Sequence, residues 1–158
     1  LLKGGNAIDA SIASMFCLGV TNPQSSGIGG GFIMTLYNRL AFLCSCLDTG
    51  MRQKHMASRS MERCIVIDAR ETAPAKAHRD MFVKDEFGSK YGFRAIATPG
   101  EISGYWLAFR KYGSGNVSWY DLVKPSIDLC RDGIPVSEYL AYVLSVKEKH
   151  FRTLPSMQ

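Results

Sequence analysis

Apolar positions follow two different rhythms along this chain. "AIDASIASMFCLGV" (7–20) is apolar nearly all round, the pattern of a helix buried in a core. Asn6 stands before it as an N-cap, and Asp9 falls at the third helical position, facing the unpaired amides of the first turn. Thr21, Asn22 and Pro23 stop it. "FIMTLY" (32–37) and "CIVIDA" (64–69) then read as strands. The second is rich in β-branched residues and apolar on both faces, so the two are expected to be buried and to form an antiparallel pair.

From residue 98 onward the period is helical. "TPGEISGYWLAFRKYG" carries Thr98 as N-cap, Pro99 at the first helical position and Glu101 to close a capping box. Ile102, Tyr105, Trp106, Phe109 and Tyr112 fall on one expected buried face, and Gly113 ends the helix. "SWYDLVKPSIDLCRDG" repeats the scheme with Ser118 as cap and Gly133 as stop; Pro125 is expected to kink or split it. "SEYLAYVLSVKEKHF" begins a third helix at Ser137, with Leu140, Val143, Leu144 and Val146–Lys147 at its buried edge. A helix, two strands and then helices make an α/β (α+β) arrangement.

The two strands stand too far apart for an ordinary hairpin. Hairpin loops run about 2–5 residues, and structureless loops beyond about 12–15 are uncommon. The intervening segment, about 39–63, has no clear period and carries an apolar stub from Leu40 to Leu47. It reads as an insertion or as unspliced or mispredicted sequence, expected to be poorly ordered.

The 158 residues allow one modest domain. With 46% hydrophobic and 21% charged residues the chain is globular rather than disordered. No run of 18 apolar residues marks a membrane helix, and no signal-peptide pattern stands at the start. The opening "LLKGGN", without methionine, and the ending "LPSMQ" are expected to be internal points of a longer chain. The net charge of +5 does not signal nucleic-acid binding. Its densest patch, Arg52, Lys54, Arg59 and Arg63, lies in a polar loop without the interleaved aromatics that a single-strand binder uses.

Gly27, Gly29, Gly30 and Gly31 crowd the turn before the first strand. They do not form a dinucleotide fingerprint, because Phe32 stands where the last glycine belongs and the turn follows a helix rather than a strand. The lysine of a P-loop is absent, and Ser25 and Ser26 are not on a G-x-S-x-G elbow. A tight turn with close backbone packing is the better reading. Cys17 and Cys130 lie on apolar helix faces, and Cys44-Ser45-Cys46 lacks partners at zinc spacing. His55, His78 and His150 are scattered in polar surroundings, form no i, i+4 metal pair and are expected at the surface; no metal or organic cofactor is implied. "NVS" (116–118) is a glycosylation sequon whose serine already serves as a cap. "IDARETAP" (67–74) ends a strand on Arg70 and Glu71. An arginine there needs a partner or a role of its own. It is either a planar fork for a carboxylate substrate or half of a structural pair with Glu71 or Asp68.

Taken together, "GGNAIDASIASMFCLGVTNPQSSGIGGGFIMTLYN", "IDARETAP", "TPGEISGYWLAF" and "KPSIDLCRDGIPV" resemble the γ-glutamyltransferase (glutathione hydrolase) family, in order and over almost the whole chain except the 39–63 segment. The resemblance is to the first part of the large subunit. It implies the αββα sandwich of N-terminal-nucleophile hydrolases, made as a precursor that cleaves itself into two subunits. The substrates implied are glutathione and other γ-glutamyl compounds, and the partner is the small subunit. Its new N-terminal threonine is the nucleophile, so no catalytic residue lies in these 158 residues, and Thr21, Thr35, Thr72 and Thr98 are not candidates. The family's arginine in "ARE", which grips the substrate α-carboxylate, matches Arg70. The same resemblance, to animal relatives, implies work at the plasma membrane on the extracellular side. Two other readings stand beside it, an acylase of the same superfamily and a truncated paralogue without activity. The fragment alone is expected to be inactive.

Overall fold

The computed structural model describes residues 1–38, 64–85 and 87–155. The elements in order are α1 (Ala7–Thr21), β1 (Phe32–Tyr37), β2 (Cys64–Ala69), a 3₁₀ turn (Phe93–Ala95), α2 (Glu101–Tyr112), α3 (Trp119–Asp132) and α4 (Glu138–Thr153). The expectations for the 39–63 segment, including Cys44, Cys46, His55 and the basic patch, lie outside the described residues. No described helix is long and apolar enough to cross a membrane.

The chain divides into two compact units, Ile33–Asp68 and the rest. In the smaller unit β1 and β2 pair in a two-stranded sheet. Alternation puts successive side chains on opposite faces. Leu36 and Ile67 are buried, whereas Ile33, Tyr37 and Val66 are exposed. The expectation that both faces of these strands would be covered is corrected: one apolar face of this pair is open.

In the larger unit α1 packs against α3 and α2. Its core is aromatic. The Phe16 ring meets Tyr105 edge-on at 5.0 Å and Trp119 at 5.6 Å, and Phe32 stacks on Tyr105 at 4.8 Å. Such pairs add about 0.5–1.5 kcal/mol each beyond the area they bury. Asn6 caps α1 as expected, accepting from the amides of Ile8 and Asp9 while Asp9 takes the Asn6 amide. The helix is covered on one side rather than all round: Asp9, Ile12 and Phe16 are buried, and Leu18 is exposed.

Ser118 caps α3 with Asp121 completing the box, and Gly133 ends it at φ 88°, in the left-handed region that favours glycine. Pro125 does not split α3, which runs unbroken through it. The proline removes one amide from the ladder, and the capping box together with buried Leu122 and Ser126 holds the rest. Ser126 Oγ donates to Cys17 Sγ at 3.4 Å. Cys130 is exposed, contrary to its apolar setting in the sequence. Along α4 only Leu140 is buried; Leu144 and Val146 are exposed, so the expected buried edge shrinks to its first turn. His150 is half-buried rather than on the surface, its ring stacked on Tyr91 at 4.5 Å.

The most instructive departure concerns α2. Thr98 is not its cap but forms an antiparallel bridge with Thr72, amide to carbonyl both ways at 3.1 and 2.9 Å. The cap is Gly100, without a side-chain bond. The carbonyl of Gly30 accepts both the Gly100 amide (3.1 Å) and the Glu101 amide (3.2 Å), so a distant turn does the capping. The buried stripe is Glu101, Gly104, Tyr105 and Ala108, while Ile102 and Trp106 are more than 40% exposed. Gly104 sets this rotation. A Cβ there would fall 2.4 Å from the Ala69 side chain and 2.7 Å from the Phe32 ring.

Candidate functional site

Arg70 follows β2 directly, where the chain leaves the strand. The backbone of residues 69–71 runs through a slot built by glycines from separate segments. A Cβ on Gly31 would lie 2.3 Å from the Ala69 carbonyl oxygen and 3.0 Å from Arg70 Cα. A Cβ on Gly100 would meet the same oxygen, also at 2.3 Å. Real Cβ contacts do not come that close, so neither position admits a side chain without moving the backbone. The close-packing reading of the glycine run holds at Gly31. Gly100 and Gly104 were missed, although their four-residue spacing on one helix face was a usable signal.

The slot orients the arginine. Its Nη1 donates to the Gly31 carbonyl at 3.2 Å, and its Nη2 pairs with Glu71 Oε2 at 3.0 Å. The side chain remains 58% exposed, against 23% for Glu71. Arg70 is therefore in the structural pair with Glu71 and displayed to solvent at once; the two roles weighed from sequence are compatible.

A second acid lies close by. Glu101 is 5% exposed, and its carboxylate accepts the hydroxyl of Tyr105 one turn on. Burial, then the hydrogen bond to Glu101 and its charge, push the Tyr105 phenol well above its ordinary range, so it stays a donor. Glu101 Oε2 and Glu71 Oε1 approach the same point: a Cβ on Gly30 would lie 3.3 Å from the first and 3.6 Å from the second. Glu101 is thus not the capping-box residue expected from its position. The i, i+4 spacing of Glu101 and Tyr105 was the sequence signal for this pair.

At the far end of α2, Asp9 of α1 takes over. Its Oδ2 accepts the Ser114 amide at 3.0 Å, and Asn6 Nδ2 donates to the Tyr112 carbonyl at 2.8 Å. Burial raises the Asp9 pKa, but hydrogen bonds from Ser114 and the Asn6 amide outweigh it, so the carboxyl titrates below its ordinary value.

A buried helix, a glycine turn and a strand-end arginine braced by acids make an α/β fragment of the kind that solved gamma-glutamyltranspeptidases contain. The family model for gamma-glutamyltranspeptidase matches residues 1–52 and 54–158, and the chain belongs to that family. It is similar to glutathione hydrolase 3 of Arabidopsis thaliana, with 34% identity over all of this chain and 21% of that protein. It is 36% identical to the glutathione hydrolase proenzyme of Escherichia coli strain K12, over 89% of this chain and 21% of that one. Scoloptoxin SSD14 of Scolopendra dehaani is 39% identical over the whole chain and 24% of its own length. The chain thus spans about a fifth to a quarter of the curated relatives it matches. Among solved structures, gamma-glutamyltranspeptidase from Helicobacter pylori superposes with a TM-score of 0.76 at 28% identity, covering 99% of this chain and 40% of that one. The Pseudomonas nitroreducens enzyme complexed with L-DON gives 0.76 at 29% identity, covering 97% and 40%.

Proposed function

We propose that this chain supplies the substrate-gripping part of an enzyme that cleaves the γ-glutamyl amide of glutathione and related compounds, with Arg70 holding the α-carboxylate. The observation that carries the reading is the state of Arg70 at a strand end: oriented by Gly31 and Glu71, yet 58% exposed. A guanidinium fixed in this way loses little entropy on meeting a carboxylate, and its planar fork matches two oxygens. A carboxylate far from the scissile bond is a sound handle, because it fixes the γ-carbonyl at a set distance.

The chemistry follows from the family. The hydroxyl of an N-terminal threonine, created by self-cleavage and lying outside these residues, attacks the γ-carbonyl, and its own amine takes the proton. The C–N bond breaks, the amine of the departing peptide leaves protonated, and the γ-glutamyl group rests on the threonine as an ester. Water or an acceptor amine then releases it. The small subunit of the same precursor is the partner, and the outer face of the plasma membrane is the proposed place of work, on the strength of the resemblance to animal relatives.

The test is made on the full-length protein. A self-cleaved product beginning with threonine, together with release of glutamate from glutathione, is expected. A full-length protein that never cleaves itself and releases no glutamate would remove the catalytic reading.

A further inference from the structure

The contacts around Gly30 form a continuous path from the helix α2 to the arginine. The Gly30 carbonyl receives the amide of the cap Gly100 and that of Glu101, the first residue of α2. The next carbonyl, on Gly31, receives Arg70. Glu101 lies in the first turn of the same helix, its carboxylate tied by Tyr105 and its second oxygen directed at Gly30. Glu71 reaches that point from the other side and carries its own second oxygen to Arg70.

We propose that Glu101, locked by Tyr105, is a positioning residue for Arg70. The inference rests on the carboxylate-gripping reading of Arg70 given above. Stiffness and charge act together here. Phe16 and Phe32 both pack on the Tyr105 ring, which is 1% exposed, so the hydroxyl that holds Glu101 has little freedom. Glu101 therefore stands as a fixed wall against the Gly30 turn, setting where Gly31 offers its carbonyl. Its negative charge also faces Glu71 Oε1 across Gly30, and that repulsion favours a Glu71 carboxylate whose other oxygen is held by the Arg70 cation. A residue needed only to fill this space would need no buried charge, which costs stability to desolvate.

The experiment uses the full-length protein and two probe substrates, a γ-glutamyl anilide and the same anilide without the α-carboxylate. Glu101→Gln keeps the volume and removes the charge; Tyr105→Phe removes one hydroxyl. Each is expected to lower the ratio of kcat/KM for the first substrate over the second by about three- to tenfold, within the range of contacts coupled through a shared partner. A purely structural role would depress both substrates together, and an unchanged ratio in either variant overturns the proposal. Where Glu101→Gln does not accumulate folded, Tyr105→Phe decides the matter alone. Arg70→Lys, run in parallel, separates the two layers. If it lowers the ratio while the Glu101 and Tyr105 variants do not, only the positioning role falls. If Arg70→Lys leaves the ratio unchanged, the grip itself falls, and the positioning role with it.

Discussion

The guanidinium of Arg70 donates to the main-chain carbonyl of Gly31 at 3.2 Å, across 39 positions of sequence. The bond exists because Gly31 has no side chain: a Cβ would press on the very segment that carries the arginine. The orientation of the arginine and the close packing are thus one feature at this point.

The first prediction follows from that crowding. Gly31→Ala and Gly100→Ala each force a Cβ to within 2.3 Å of the Ala69 carbonyl oxygen. Overpacking of this kind costs about 1–3 kcal/mol, and more where backbone must move. Denaturant titration of the full-length protein should show the loss, and Gly29→Ala, whose Cβ would meet nothing within 4 Å, should not.

The arginine itself gives the second. A charge-assisted bond contributes about 1.5–3 kcal/mol, which corresponds to about tenfold or more in affinity. Arg70→Ala should raise KM for glutathione by that order in steady-state kinetics. Arg70→Lys should recover only part of it, because an ammonium cannot bond Gly31, Glu71 and a carboxylate in one plane.

A pH dependence follows from Asp9. Its folded-state pKa lies below the unfolded value of about 3.9. The unfolded chain therefore binds the proton more readily. The stabilisation is present above about pH 4 and is lost as pH falls through the lower, folded value. Asp9→Asn should flatten the acid limb of a stability–pH curve relative to the parent. An unaltered limb would place the dependence on other carboxylates.

Phe16 sits between Tyr105 and Trp119. Phe16→Ala opens that cluster, and its expected cost is about 3–5 kcal/mol. Thermal unfolding measures it, and a loss well under 1 kcal/mol would show that the aromatic contacts are replaceable.

How much of this was legible depends on the range of the forces involved. The caps at Asn6 and Ser118 and the stop at Gly133 are local, and four consecutive residues suffice to read them. The family signature was likewise legible as contiguous words. Thr98 misled because its local capping pattern is genuine, yet a carbonyl from residue 30 satisfied the helix amides instead. Ile102 and Trp106 misled because periodicity reports that a helix has an apolar stripe, not which stripe a glycine contact will press inward. The pair of Glu101 and Tyr105 was visible in spacing, but its burial depended on Phe16 and Phe32 arriving from elsewhere.

Helix α2 is held at both ends by partners from outside it: the Gly30 carbonyl at its start, and the side chains of Asn6 and Asp9 at its finish. Its 12 residues therefore act as a ruler of about 18 Å between two stops. Substitution along the solvent side leaves the ruler intact. Adding or deleting a single residue would turn one end by about 100° against the other, so natural length variation is expected to be tolerated in the neighbouring turns and excluded from this span.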